Sequence, residues 1–208
     1  PEVGCEFSFR AFRTWPEAAL PGIDGLRHIV EPYANYTWIP EPNILPSELY
    51  QFDEVDKLNK NHSVRVGVRN KLQTRKDNRP FDLVDMDLFT TVNLEPDEGQ
   101  EALGDFGTKT IFSLSSNTRM EIIGAFDSNE GELRALNSRL WLIYPLWKLQ
   151  LEYRYLIETS NLIVPVINYT PVPGWSFEAF MRYEAENSRL EEHGYYLQRM
   201  LDCIGIRT

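Results

Sequence analysis

The sequence predicts an all-β chain, an antiparallel transmembrane β-barrel segment of about ten strands from a larger barrel. Three observations lead there. Side chains alternate between apolar and polar along one segment after another, the period of a strand with two different faces. These segments run about 10 to 14 residues, whereas strands of soluble sandwiches run about 5–6. The longer figure suits a tilted strand crossing a bilayer. Finally, the polar faces carry several charges each. A dry sandwich core would not accept them unpaired, but a water-filled barrel interior would.

The segments follow in order. Val3 to Arg13 sets Val3, Cys5, Phe7, Phe9 and Ala11 against Glu6, Ser8 and Arg10. Leu26 to Trp38, "LRHIVEPYANYTW", alternates in the same way although it contains Pro32. His62 to Arg75 opposes Val64, Val66, Val68 and Leu72 to Arg65, Arg69, Lys71 and Gln73. Phe81 to Leu94 opposes Val84, Met86, Leu88 and Val92 to Asp85, Asp87 and Thr91. Thr108 to Ser115 and Thr118 to Asp127 flank a tight polar turn. "DSNEG", from Asp127 to Gly131, is rich in turn formers and leads to Glu132 to Ile143. Trp147 to Glu158 alternates most cleanly, with Leu149, Leu151, Tyr153 and Tyr155 on one side and Lys148, Gln150, Glu152 and Arg154 on the other. Trp175 to Glu186 and roughly Gly194 to Arg207 complete the ten. "NLIVPVINY" is left open between strand and loop. The one helical candidate is short, Pro46 to Lys60, within a loop.

Connections follow a barrel pattern of short turns at one end and longer loops at the other. Ile39 to Asn61, Glu95 to Gly107 and Thr159 to Gly174 read as long. Lys76 to Pro80, Ser116 to Asn117, Tyr144 to Leu146 and Asn187 to His193 read as short. "DSNEG" and the longish Thr14 to Gly25 break the trend. Trp38, Trp141, Tyr144, Trp147 and Trp175 sit at strand ends, where ring side chains favour a membrane interface.

Composition narrows the function classes. The 208 residues are 42% hydrophobic, which is enough for an ordered domain. The net charge of −10 argues against nucleic-acid binding, since phosphate contacts need clustered Lys and Arg. No apolar run is long enough for a membrane-spanning helix. The chain starts and stops inside strand-like segments, so a piece of a longer protein is expected.

The motifs resemble a known family, the lipopolysaccharide-assembly proteins called LptD. "LRHIVEPYANYTWIPEP" resembles their Leu-Arg-His barrel strand, and "VRVGVRNKLQTR" the strand after it. "GWSFEAFMRYEAENSRLEEHGYYLQRMLDCIGI" resembles their late hairpin. The three occur in the family's order across nearly the whole chain. The resemblance implies that residues 1–208 are a partial outer-membrane barrel, with the family's N-terminal periplasmic jellyroll absent from this chain. It implies a translocon that places lipopolysaccharide in the outer leaflet of a Gram-negative-type outer membrane. The implied partners are lipopolysaccharide, an LptE-like plug lipoprotein and periplasmic bridge proteins. Cys203 matches a family cysteine that forms a disulfide, and its partner would lie outside this chain. Some family members have two adjacent cysteines where this sequence has Asp202 and Cys203.

Other residues read more plainly. Cys5 matches no family cysteine and reads as a free strand residue. It could reach Cys203 only if ten strands closed into a barrel by themselves. Pro32 marks a bulge. His28, His62 and His193 lack metal-ligand spacing and read as satisfied or interior imidazoles. Glu95, Asp97, Glu98, Glu101 and Asp105 form an acidic loop without calcium-loop spacing, and Asp53, Glu54 and Asp56 read likewise. Arg65, Arg69, Lys71, Arg134 and Arg154 are expected to line the interior, where such charges could accommodate phosphorylated sugars. There is no Gly-x-Ser-x-Gly and no Ser/His/acid arrangement, so no catalysis and no cofactor are expected. A passive pore or another outer-membrane barrel is the alternative.

Overall fold

The computed structural model describes residues 2–20, 23–41, 60–97, 99–201 and 204–207, with side chains through residue 200 except at 19 and 20. The described residues contain no helix, and strands form one antiparallel sheet that does not close. The strands are β1 (Val3–Ser8), β2 (Ala11–Leu20), β3 (Ile23–Ile39), β4 (Asn61–Lys76), β5 (Arg79–Asn93), β6 (Phe106–Ser113) and β7 (Thr118–Asp127). They continue as β8 (Glu132–Ile143), β9 (Trp147–Leu156), β10 (Ser160–Tyr169), β11 (Trp175–Glu184), β12 (Arg189–Leu201) and β13 (Ile204–Arg207). Each pairs with its sequence neighbour, except that β1 and β2 both lie along β3. This is an up-and-down meander.

Several expected boundaries change. Val3 to Arg13 is not one strand. It is interrupted at Phe9 and Arg10, and β2 runs on to Leu20, so Thr14, Trp15, Ala19 and Leu20 of the expected Thr14 to Gly25 loop pair with β3. "NLIVPVINY" is strand β10, which divides the expected long loop Thr159 to Gly174 into a turn at 157–159 and a link at 170–174. The last expected strand is a hairpin, with Leu201 paired to Ile204. The expected helix over residues 46–60 lies outside the described residues except for Lys60. At one end of the sheet every link is short: 77–78, 114–117, 144–146 and 170–174. Both long links, 40–60 and 94–105, lie at the other end, together with the short turns 128–131, 157–159 and 185–188. The first turn of the short-link end uses Asp77 and Asn78, both at positive φ (50° and 58°). Asp and Asn tolerate this region better than other residues with a Cβ, and a two-residue hairpin needs it twice.

Pro32 acts differently from expectation. β3 stays in register with β4 through Pro32↔Val68, so there is no bulge at that position. The Pro32 carbonyl accepts from Phe9 N at 3.3 Å, across the ladder to the edge. In an antiparallel strand a residue's N–H and C=O point to the same neighbour. The missing donor therefore faces the edge strand, where the β1–β2 break occurs, and the inner ladder is intact. Pro165 uses the same device. The β9–β10 ladder passes through Pro165↔Leu151, while pairing with β11 skips Val164 and Pro165 without a change of register.

The register sorts side chains by face. One face carries Leu26, Val30, Val64, Val66, Val68 and Leu72, and continues through Leu88, Ile122, Leu140, Leu149, Leu151, Ile163, Ile167, Phe177 and Leu197. No Asp or Glu takes a paired position on it among the described residues. The other face carries Glu6, Glu31, Arg65, Arg69, Lys71, Asp85, Asp87, Lys109, Glu121, Arg139, Glu152, Arg154, Glu178 and Arg182. Among the described residues no second layer covers the apolar face: Val66, Leu88, Leu151 and Ile167 are each about 40% exposed. The two hydrophobic residues that are buried, Tyr33 and Leu162, lie on the charged face.

Candidate functional site

The charged face is the surface with chemistry to offer, and its ion pairs form two clusters. In the first, Arg69 bridges strands that are not neighbours, reaching Glu6 on β1 at 3.1 Å and Glu31 on β3 at 3.0 Å. Arg10 meets Glu31 from the interrupted edge at 2.5 Å. Arg69 also lies over the Tyr33 ring (4.1 Å), and the Tyr33 hydroxyl donates to Asp87 at 3.1 Å. Lys71 sits between Asp85 (2.9 Å) and Asp82 (3.2 Å), and Gln73 donates to Asp82. The second cluster centres on Glu152, 4% exposed, which accepts from Arg154 at 2.5 Å and lies 3.2 Å from Arg139. Burying a carboxylate is costly unless opposite charges and hydrogen bonds meet it, and two guanidinium groups meet this one.

Between the clusters lies a trough of about 510 Å³ with a floor of small residues, Gly107, Ala125 and Ala135. Arg65, Lys109 and Arg154 stand around it, with Asp87, Asp105 and Asn137. The Phe89 ring covers Gly107 so closely that a Cβ there would meet it at 2.3 Å, and Arg65 stacks on the same ring at 3.5 Å. The same pairing of an aromatic with a cross-strand glycine recurs at Tyr33 and Gly67. Rings lying flat over glycines keep this face low and leave room above it.

Arg65, Arg69, Lys71 and Arg154 therefore occupy the expected face. Arg134 takes its partners from the same face, at its loop end. It sits at the bulge between β7 and β8, where it pairs with Asp127 and approaches Asp105 at 3.7 Å. Asp127 also accepts from Asn129 N and Glu130 N, so this group of residues fixes the 128–131 turn.

The remaining sequence candidates disperse. Cys5 is exposed, on the apolar face opposite Tyr36, and Cys203 lies outside the described residues. His28 contacts Asn70 Oδ1 at 3.3 Å on the apolar face. His62 meets the Tyr36 hydroxyl at 3.2 Å and Glu95 at 3.1 Å, and His193 packs edge-on against Tyr195. The acidic loop does not converge on a point: Asp97 pairs with Lys60 at 2.7 Å, Glu95 with His62, and Asp105 faces Arg134. The Asp97 carboxylate raises the Lys60 ammonium pKa above its ordinary value. No group of three or more potential metal ligands occurs among the described residues. Glu98, Asp53, Glu54 and Asp56 lie outside them.

Aromatic residues mark both ends of the apolar face. Trp15, Phe81, Trp147, Tyr169 and Trp175 stand near the short-link end, and Trp38, Phe106, Phe126 and Tyr155 near the other. Tyr144 stacks on Trp147 at 4.5 Å. Trp141 departs from this belt. It points to the charged face, where its indole N–H donates to Gln150 at 3.1 Å. Parity in the ladder decides this, and Trp141 is out of phase with Leu140 and Leu142.

No model of a known protein family matches this chain, and no curated protein matches it.

Proposed function

We propose that this chain forms part of the wall of an outer-membrane β-barrel, with its apolar face in lipid and its charged face lining a water-filled interior. The observation that supports this reading is the sorting of side chains by face. An uncovered apolar face with no Asp or Glu at a paired position among the described residues, bounded by two rows of aromatics, suits hydrocarbon between two interfaces. From Trp147 to Tyr155 on β9 is eight residues, roughly 19 Å of depth at a 45° tilt, and from Leu26 to Trp38 on β3 is twelve, roughly 28 Å. These values bracket the ~25 Å apolar band of such barrels.

The finer reading is that the barrel assembles lipopolysaccharide into the outer leaflet of a Gram-negative-type outer membrane. It is supported by the three ordered motifs that resemble LptD proteins. The cations around the Gly107 trough are compatible with phosphorylated sugars. On this reading the partners are lipopolysaccharide, the periplasmic bridge proteins that deliver it and an LptE-like plug. Depleting the protein in its native cell tests the assignment. Loss of surface lipopolysaccharide with accumulation inside the envelope is the expected result. Loss of small-solute permeability with normal surface lipopolysaccharide would overturn it in favour of a passive pore.

A further inference from the structure

The apolar face carries a groove that the transport reading does not use. Between Trp15↔Leu26 and Ala19↔Asp24, the three residues 16–18 of β2 have only Gly25 opposite them. Gly25 has a positive φ of 67°, and the β3–β4 register also shifts there. The double irregularity makes residues 14–18 one wall of a groove of about 1080 Å³ on the apolar face. Trp15, Leu26, Leu72, Val84 and Met86 line it, and His28 and Asn70 contact each other in its floor. Its size is at the upper limit of pockets that hold small organic ligands, roughly 300–1,000 Å³.

Thr14, Pro16 and Leu26 also line an adjoining hollow with Asp24, Arg75 and Arg79, so charges of both signs stand beyond the end of the groove. Outward from Leu72↔Val84 the same face runs through Thr74↔Phe81 to Lys76↔Arg79 at the short-link end. Lys76 lies over the Phe81 ring at 5.2 Å. Glu17 stands on the β2 wall of the groove. An apolar slot that opens past a tryptophan onto two cations and a carboxylate matches one class of molecule. Acyl chains fill the slot, a phosphate meets Lys76 and Arg79, and an ammonium meets Glu17.

From this geometry we infer that the groove between β2 and β5 holds one zwitterionic phospholipid with a primary-amine head, on the outer surface of the barrel. The inference rests on the membrane reading above, which places this face in lipid. Glu17 disfavours a purely anionic head, and the two cations disfavour a neutral lipid.

The test is native mass spectrometry of the protein, reconstituted in phosphatidylcholine vesicles with a minor fraction of phosphatidylethanolamine and then released into mild detergent. One retained lipid per chain is expected, with phosphatidylethanolamine enriched about fivefold over the bulk, as expected of one charge-assisted pair at a half-exposed site. Val84→Trp fills the groove and should remove the retained lipid. Glu17→Gln, at an exposed position on the groove wall, should keep a lipid but abolish the enrichment. Retained lipid that matches the bulk composition, or none, in a protein that enters the vesicles overturns the inference and leaves the membrane reading standing. A chain that does not enter the vesicles overturns both.

Discussion

Replacing Leu151 by arginine separates a lipid-facing wall from a water-facing one. Leu151 lies on the apolar face between Leu140 and Pro165 and is 41% exposed. It is four residues from Trp147 and four from Tyr155, roughly 9 Å of depth from each aromatic row at a 45° tilt. On the proposed membrane reading this is near the bilayer midplane, where an arginine on the lipid face costs about 2–4 kcal/mol. If the same face met water, the substitution at a half-exposed position would change stability by no more than ~0.5 kcal/mol. The matched control is Val164→Arg on the opposite face. Val164 pairs with Glu152, which Arg139 and Arg154 already meet, so its new charge enters a polar neighbourhood open to water, and the expected change is within about 1 kcal/mol of zero. Equilibrium unfolding in guanidinium, with the protein in vesicles, reads both. A large loss for Leu151→Arg alone is expected. Equal small effects, or a larger loss for Val164→Arg, would refute the assignment of faces.

Three further outcomes are expected. Gly107→Ala should cost about 1–3 kcal/mol because its Cβ would meet the Phe89 ring, and much of that loss should vanish in a Phe89→Leu background, as a double-mutant cycle in thermal unfolding would show. Glu152→Gln should cost about 1–2 kcal/mol, since it leaves Arg139 and Arg154 beside a neutral amide, and denaturant unfolding of the single variant checks this. The 208-residue chain by itself should associate in detergent, because the free edges of β1–β2 and β13 offer unpaired backbone. A monodisperse monomer with cooperative unfolding, seen by analytical ultracentrifugation, would contradict the last.

What was legible in the sequence was the period. β4, β5, β7, β8 and β9 fall within two residues of where alternation placed them, because each alternates a charged face with an apolar one. β10 is ambiguous in the sequence because its charged-face positions are Leu162, Val164 and Val166, so both faces are apolar and Pro165 interrupts the run. β2 reads as a loop beyond Arg13 because Pro16 and Gly25 signal a turn, yet pairing with β3 carries it to Leu20 through a bulge. On the charged face, Arg65, Arg69, Lys71 and Arg154 were legible from parity alone. The Gly107, Ala125 and Ala135 floor was not, since small residues on three separate strands become neighbours only through register. The Arg69 bridge from β4 to Glu6 was hidden for the same reason, because β1 follows β3 in space and not in sequence.

The most direct test of the account is a nitroxide scan along β9, with single cysteines from Lys148 to Leu156 in a background lacking Cys5 and Cys203, and the protein in bilayers. Oxygen should relax labels at 149, 151, 153 and 155, and a water-soluble nickel complex should relax those at 148, 150, 152 and 154. Water access at every position, or access to neither probe at the odd ones, would contradict a wall that stands between lipid and water.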